Sequence, residues 1–571
     1  MPRTLNILLH QADPLVGDID GNAEKARHTL RLAADAGAEI AVLPELFIAG
    51  YPPEDLVLRS SFVERCMQAV HTLAAHTDDT GPALLIGTPW REGEQTFNSI
   101  ALLHEGRVMA VRHKHMLPNY GVFDEKRIFA AGPLPEPVTF RGFRLGLPVC
   151  EDIWTPDVAA HLKQRGAEVL IVINGSPFEV NKHGVRKQQV RQRVAETGLP
   201  VAYLNMVGGQ DELVFDGGSF ALNPVPGATT VRTQEQQEDE RTAADIALRL
   251  PRFATAHATL KIEETAQGLR FVRGLVAERP DELQAIWQAC VLGLRDYVLK
   301  NRFPGVVLGL SGGIDSAVVA TMAVDALGAE KVHCVMLPYR HTSSESLQDA
   351  EQVAHLLGVR YDVISIEQPV QAFLSTLSEQ FAGLPADTTE ENLQSRTRGV
   401  ILMALSNKHG HMLLSTGNKS EMAVGYATLY GDMNGGYNPL KDIYKTTVYR
   451  LARLRNEKRP AGCLGPEGPV IPQRIIDKPP SAELKPDQTD QDTLPPYEVL
   501  DAVLHALIEE RLSVPEAARR LNVEQALVAR IQNMLFMAEY KRRQAPPGVK
   551  ITSTSFGRDW RYPLTHAFRE Q

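Results

Sequence analysis

Short apolar runs and longer amphipathic segments follow one another along most of the chain. Leu5-Asn6-Ile7-Leu8-Leu9 predicts a strand. Gly21 to Ala36 predicts a helix, with Ala26, Leu30 and Ala33 on one face and Gly37 just beyond its end. Ile40-Ala41-Val42-Leu43 predicts the next strand, and this strand–helix–strand order predicts a parallel pair with the helix packed across it. Leu84 to Pro89, Leu145 to Cys150 and Leu170 to Ile173 predict further strands, the middle one ending on the cysteine. Past Asn223 the pattern loosens. Gln234 to Arg241 reads as a solvent-exposed loop, Leu248 to Ile262 keeps strand-like alternation, and Glu263 to Arg273 reads as the crossing to a second domain.

The alternation then resumes. Glu282 to Leu299 predicts a helix feeding the strand Val306-Val307-Leu308, and Ala317 to Leu327 is an alternation-free helix. Val332 to Pro338, Tyr361 to Ile366 and His411 to Thr416 predict strands, with helices at Ser344 to Leu357 and Asn392 to Lys408 between them. The expected fold class is α/β, with a doubly wound parallel sheet in this second half. Gln473 to Tyr497 is rich in Pro, Asp and Lys without periodicity, which by itself reads as disorder, whereas its R-I-x-x-K-P-P-S-A-E-L and L-P-P-Y pieces resemble a loop near the active site of a known enzyme family and so imply a mobile lid. Tyr497 to Tyr540 returns to helical periodicity.

At 571 residues the chain exceeds one core. The expected division is 1–262, a linker at 263–275, and 276–571. Hydrophobic content of 43% and charged content of 23% are ordinary for a soluble protein. A net charge of −9 offers no basic field for nucleic acid. The five cysteines are scattered without a C-x-x-C pair, so neither a zinc cluster nor a disulfide scaffold is expected. No apolar run is long enough to cross a bilayer, and Met1 to His10 lacks the longer apolar core of a signal peptide. The expected setting is a reducing cytoplasm with no membrane partner.

Three chemically matched residues stand at or near strand exits in the first half: Glu45 in Leu43-Pro44-Glu45, Lys114, and Cys150. Together they suffice for amide hydrolysis through a thioester, with the carboxylate taking the thiol proton and the ammonium stabilising the oxyanion. Singly, each fits a plainer role: a buried thiol, a surface charge, a solvated lysine. In order, P-E-L-F-x-x-G-Y, K-x-x-L-P-x-Y-x-V-F-D-E and C-E-D-x-W resemble the nitrilase (carbon–nitrogen hydrolase) superfamily over roughly residues 4–225. The resemblance implies an α-β-β-α sandwich with Glu45 as general base, Lys114 as transition-state stabiliser, Cys150 as nucleophile and Glu125 in support. Tyr51 to Leu56 (Y-P-P-E-D-L) and L-P-N-Y-G-V-F-D-E further resemble the glutaminase domain of glutamine-dependent NAD+ synthetases. That likeness implies L-glutamine contacts from Tyr120, Ser176 and Lys182. Alanine is the commoner family residue where Gly175 stands. Taken alone, Ser176 fits a turn hydroxyl, and Lys182 to Arg193 reads chiefly as a solvated helix face.

In the second half, Gly309-Leu310-Ser311-Gly312-Gly313-Ile314-Asp315-Ser316 joins a strand to a helix N-terminus. Such a turn converges several backbone N–H groups on one spot, and phosphate is its natural guest. It is not a Walker loop, which needs a lysine. Two serines and Asp315 stand instead, offering hydroxyls to phosphate and a carboxylate to a metal ion. S-G-G-x-D-S resembles the pyrophosphate loop of the ATP pyrophosphatases. With E-N-L-Q-S-R-x-R-G, S-T-G-N-K-S-E and N-P-L-K-D-x-Y-K-T it is similar to the NAD+ synthetase domain, of adenine nucleotide α-hydrolase-like fold, over roughly 280–571. The resemblance implies ATP on Gly309 to Ser316 and Thr416, magnesium (Mg2+) on Asp315 and Glu421, and deamido-NAD+ near Asn392, Glu421 and Lys541. Lys541-Arg542-Arg543 is a basic cluster that could meet substrate phosphates, although a solvated helix end fits Arg542 and Arg543 about equally. The implied activity is a ligase coupling glutamine hydrolysis to amidation of AMP-activated deamido-NAD+ in a homo-oligomer, and the pairing of two active sites in one chain leads to the expectation of an enclosed ammonia passage. Another ATP-pyrophosphatase-type amidotransferase is the alternative.

Overall fold

The computed structural model describes residues 2–225, 244–485 and 488–570. The loop expected at Gln234 to Arg241 lies outside them. The chain divides into two compact units, residues 1–210 with 214–280, and 281–571 with 211–213.

The first unit is built on two sheets. One has seven strands in the spatial order Gly268–Phe271, Ala256–Thr265, Thr4–Gln11, Ile40–Val42, Ala83–Glu92, Gln95–His104 and Arg107–His113. Its three central strands run parallel and its flanks antiparallel. The other runs Ala244–Arg249, Phe220–Pro224, Val201–Asn205, Val169–Asn174, Phe143–Gly146 and Val138–Phe140. Side-chain parity explains why the central strands are apolar on both faces. Leu5, Ile7 and Leu9 meet Ile171, Ile173 and Leu204 between the sheets. Leu8, Ala41 and Leu84 face outward onto the helices Ile19–Asp35 and Ser60–Ala74. Leu170 and Val172 face the helices Pro156–Gln164 and Lys182–Thr197 on the other side. The result is the expected α-β-β-α sandwich.

The crossing expected at 263–275 is corrected by this arrangement. Ala256–Thr265 pairs with Thr4–Gln11 along its length, and Gly268–Phe271 returns as its hairpin partner. The alternation read from Leu248 to Ile262 thus continues into the sheet, and the division lies after Pro280.

The second unit has four parallel strands in the order Arg360–Val363, Val332–Met336, Val306–Gly309, Met412–Leu414. The first strand in the chain is flanked by the second and the fourth. This reversal of order opens a crevice at the carboxyl ends of Val306–Gly309 and Met412–Leu414, where doubly wound sheets bind ligands. The helix Ile314–Leu327 is buried on every side except at Asp315, which explains its lack of an amphipathic pattern. Helices Tyr497–Ile508, Val514–Leu521 and Gln525–Met537 build a further core with Met422, Ala423 and Val424.

Candidate active sites

In the first unit, four strand exits converge on one buried carboxylate. Glu45 follows Ile40–Val42, Lys114 follows Arg107–His113, and Gly175 follows Val169–Asn174. Glu45 Oε1 accepts from Lys114 Nζ at 2.8 Å and from Asn98 Nδ2 at 2.8 Å. Its Oε2 accepts from the Gly175 backbone N–H at 2.7 Å. Glu125 flanks the same ammonium at 2.9 Å and accepts from the Tyr51 hydroxyl at 3.1 Å. Burial alone would lower the Lys114 pKa, but Glu125 and Glu45 outweigh it and hold the ammonium well above its ordinary value. Burial raises Glu125 above the carboxylate range, with Lys114 pulling it back.

Cys150 lies where the fourth exit ends, although not on a strand as expected. The strand stops at Gly146, Val149 makes a single bridge to Ile173, and Cys150 opens the short helical turn Cys150–Ile153. The cysteine has φ of 46°, a left-handed conformation that costs a non-glycine residue about 1–3 kcal/mol. Asp152 holds the turn by accepting from the backbone N–H of Val149 at 3.0 Å, His115 at 3.0 Å and Met116 at 2.8 Å. Burial lifts the Cys150 thiol well above its ordinary value. Glu45 lifts it further, and Lys114 offsets part of this. The resting sulfur therefore keeps its proton, and a base must take it before attack.

The residues expected on glutamine surround this group. Tyr120, about half exposed, donates to Glu151 at 3.0 Å. The Lys182 ammonium stands 5.4 Å from the Trp154 ring centroid. Ser176 N–H donates to Asn205 Oδ1 at 2.9 Å, and Ser176 Oγ accepts from Arg186 Nε at 2.9 Å. Here the solvated helix face expected at Lys182 to Arg193 is corrected: His183, Arg186, Lys187 and Arg193 are buried. Arg186 also bonds Asp216 Oδ1 at 2.7 Å, and Arg252 holds the other oxygen of that carboxylate at 2.8 Å. Its partners lie ten and thirty residues away, so local sequence carries no sign of its burial. Gly175 has a local reason of its own: an added Cβ would stand 2.9 Å from the Tyr51 ring.

In the second unit, the turn after Val306–Gly309 folds onto itself. Ser316 Oγ lies 3.0 Å from Ser311 Oγ and accepts from Ser311 N–H at 3.2 Å. Gly312 has φ of 78°, and a Cβ there would meet the Ser346 carbonyl oxygen at 2.3 Å, so only glycine fits this position. The turn lines a cleft with Thr416, Glu421, Lys445, Arg398 and Lys478. All eight residues from Gly309 to Ser316 face it, and with them Pro479 to Leu484 and Asp490 from the stretch read as disorder or lid. That stretch is tied down: Lys478 Nζ donates to Ser346 Oγ at 2.5 Å, which donates to Glu483 at 2.7 Å.

Lys445 is the residue that sequence reasoning left unassigned. It is the second lysine of N-P-L-K-D-x-Y-K-T, the only signal for it, and opens the helix Lys445–Glu457. Its ammonium donates to Asp315 Oδ2 at 2.5 Å and to Glu421 Oε1 at 3.1 Å. Asp315 Oδ1 accepts from Asn418 Nδ2 at 3.0 Å. A cation therefore stands between the two carboxylates expected on magnesium. Burial would lower the Lys445 pKa, but Asp315 and Glu421 together raise it, so the ammonium stays charged. Among the described residues no group of three or more His, Cys, Asp or Glu could hold a metal by itself. Asp315 and Glu421 fit a magnesium ion that brings its other ligands on phosphate oxygens and water.

Two further residues are expected on deamido-NAD+. Lys541 donates to the carbonyls of Gly425 and Ala427 at 2.8 and 2.7 Å, and Asn392 Oδ1 accepts from Thr428 at 3.0 Å; neither lines the cleft. Arg542 is buried on Glu539 and the Ala423 carbonyl, against both readings for that residue, whereas Arg543 is exposed at the helix end.

Residues 8–250 match the carbon-nitrogen hydrolase family model and residues 286–545 the NAD synthase model. The chain is 49% identical over 571 residues to a glutamine-dependent NAD(+) synthetase of Rhodobacter capsulatus, covering 100% of both chains. It is 42% identical over 577 residues to that of Aquifex aeolicus, covering 99% of this chain and 100% of the relative. Among solved structures, the glutamine-dependent NAD+ synthetase of Acinetobacter baumannii in complex with ADP shares 39% identity at a TM-score of 0.76, with 98% of both chains covered. With the sandwich, the serine–glycine turn and these likenesses spanning its whole length, the chain belongs to the glutamine-dependent NAD(+) synthetase family.

Proposed function

We propose that the first unit hydrolyses L-glutamine to glutamate and ammonia, and that the second consumes this ammonia in making NAD+. In the first, Glu45 takes the Cys150 proton and the thiolate attacks the carboxamide carbon. Two of the three N–H groups of Lys114 serve Glu45 and Glu125, which leaves the third for the oxyanion. Glu45 returns the proton to the departing ammonia, leaving a thioester. Water activated by Glu45 then releases glutamate. Tyr120, Ser176 and Lys182 orient the substrate.

In the second unit, ATP binds on Gly309 to Ser316 and Thr416. The nicotinate carboxylate of deamido-NAD+ attacks its α-phosphorus, and pyrophosphate departs onto the serine–glycine turn. Ammonia then attacks the acyl adenylate and expels AMP, completing the amide. Activation is required because a free carboxylate has no adequate leaving group. Asp315 and Glu421 would hold magnesium, which supplies positive charge to the phosphates; Lys445 supplies further charge at the same edge. Glu421 also faces deamido-NAD+, while Asn392 and Lys541 shape that end of the site through the backbone they hold. The family resemblance supports a cytoplasmic homo-oligomer that acts on small molecules, with neither nucleic acid nor membrane as partner.

One observation carries the reading: a buried Glu45–Lys114–Glu125 group beside Cys150 in a chain that also presents the Ser311–Ser316 turn to a nucleotide-sized cleft. The test is product formation from deamido-NAD+, ATP and magnesium, with glutamine or ammonium as nitrogen source. Cys150→Ala should cut glutamine-driven synthesis by about 10³-fold or more and leave ammonium-driven synthesis largely intact. Asp315→Ala should abolish both while sparing part of glutamine hydrolysis. Loss of both nitrogen sources in Cys150→Ala, or amidation of another acid in place of deamido-NAD+, would sink the proposal.

A further inference from the structure

Arg186 makes more directed bonds into the glutaminase loop than any residue assigned there. Its guanidinium donates to Ser176 Oγ at 2.9 Å, the Ser176 carbonyl at 2.8 Å, the Pro177 carbonyl at 2.5 Å and Asp216 Oδ1 at 2.7 Å. All of these partners are buried, and Arg186 itself is 1% exposed. The bonded segment is the one whose N–H groups serve Glu45 from Gly175 and Asn205 from Ser176.

From this geometry we infer that Arg186 is a positioning residue for glutamine hydrolysis, setting both the place and the polarity of the Ser176 hydroxyl. The inference rests on the reading of the first unit as a glutaminase. A hydroxyl that accepts from Arg186 has its own proton turned away from the guanidinium. Ser176 is thereby committed as a donor to an oxygen, either the neighbouring Tyr203 hydroxyl or one of the substrate, rather than to the substrate's ammonium or amide N–H. The two carbonyl bonds fix the loop's path, which keeps the Gly175 N–H on the base. A fork of five N–H donors is needed to reach one hydroxyl, two carbonyls and a carboxylate together. Lysine, with three donors on one atom, cannot span them. Asp216, shared with Arg252, anchors the fork from behind.

The test compares wild type, Arg186→Lys, Arg186→Gln, Ser176→Ala and Arg186→Lys/Ser176→Ala in the full chain. Steady-state glutamine hydrolysis is followed with ammonium-driven synthesis as the internal control. Ser176→Ala alone should raise KM for glutamine by about tenfold. Arg186→Lys should raise KM at least as much with a smaller fall in kcat, and adding Ser176→Ala to it should cost little more. Ammonium-driven synthesis should stay within about twofold. Multiplicative effects in the double variant, or an unchanged KM in both Arg186 variants, would overturn the inference. So would a parallel fall of ammonium-driven synthesis in both Arg186 variants, since the residue would then serve folding alone. Failure of wild type to hydrolyse glutamine would instead remove the reading on which the inference stands.

Discussion

A Cβ on Gly87 would stand 2.3 Å from the Leu46 backbone nitrogen and 2.4 Å from the Pro44 carbonyl oxygen. The strand Ala83–Glu92 and the turn that carries Glu45 pass so closely that no side chain fits between them. Backbone cannot yield as a flexible side-chain tip can, and overpacking of this kind costs about 1–3 kcal/mol. Gly87→Ala should therefore displace Glu45 and lower kcat for glutamine hydrolysis by about 10-fold or more, with ammonium-driven synthesis retained; an unchanged kcat would contradict this. Glu125 makes a second prediction at the same scale. Its raised pKa means that it protonates on acidification before an ordinary carboxylate would. Lys114 stays charged throughout, so protonation of Glu125 strips the ammonium of one counter-charge and disturbs the Glu45 pair. Glutamine hydrolysis should accordingly fall on an acid limb above the ordinary carboxylate value of about 4.3. Glu125→Gln should lower the plateau and remove that limb, and a limb surviving unchanged in this variant would assign it to another group.

At the scale of elements, two helices of the second unit are pinned at both ends. Asp325 near the end of Ile314–Leu327 pairs with Arg455 near the end of Lys445–Glu457 at 2.8 Å, both fully buried, and Trp287 Nε1 donates to the same carboxylate at 2.9 Å. At their other ends Asp315 meets Lys445. The far pair fixes how the two N-termini face each other. Arg455→Met should cost about 3–5 kcal/mol by taking the counter-charge from the buried Asp325 carboxylate, which keeps its Trp287 N–H. Arg455→Met/Asp325→Asn should recover part of it, as read from the second unit's unfolding in denaturant; equal losses in the two variants would show that the ion pair is not what matters. These elements also show what sequence could reveal. The strands and helices were legible because their apolar runs carry their own parity: Leu5, Ile7 and Leu9 against Leu8, or the all-apolar face of Ile314–Leu327. The serine–glycine turn was legible because its function is local. Lys445 and Arg186 were not, because each meets its partner through the fold, across 130 residues for Lys445 and Asp315. The hairpin at 256–271 escaped because its pairing strand is the first in the chain.

For the molecule as a whole, the two chemistries must exchange a small neutral nucleophile. Ammonia set free in neutral water is mostly ammonium, which has no lone pair to attack an acyl adenylate. Release beside the buried Glu45–Lys114–Glu125 group, away from bulk solvent, would let the molecule leave neutral. An enclosed route to the adenylate would preserve that state and spare the ammonia dilution into solvent. Glutamine-driven synthesis should therefore proceed nearly undiminished in the presence of an enzymatic ammonia scavenger that abolishes synthesis from added ammonium at matched nitrogen concentration. The measurement is NAD+ formed per glutamate released. A ratio near one that holds with scavenger present is the expected result. A ratio that collapses to the level of the ammonium control would mean that the nitrogen crosses through bulk solvent, and that the two activities share a chain without sharing an intermediate.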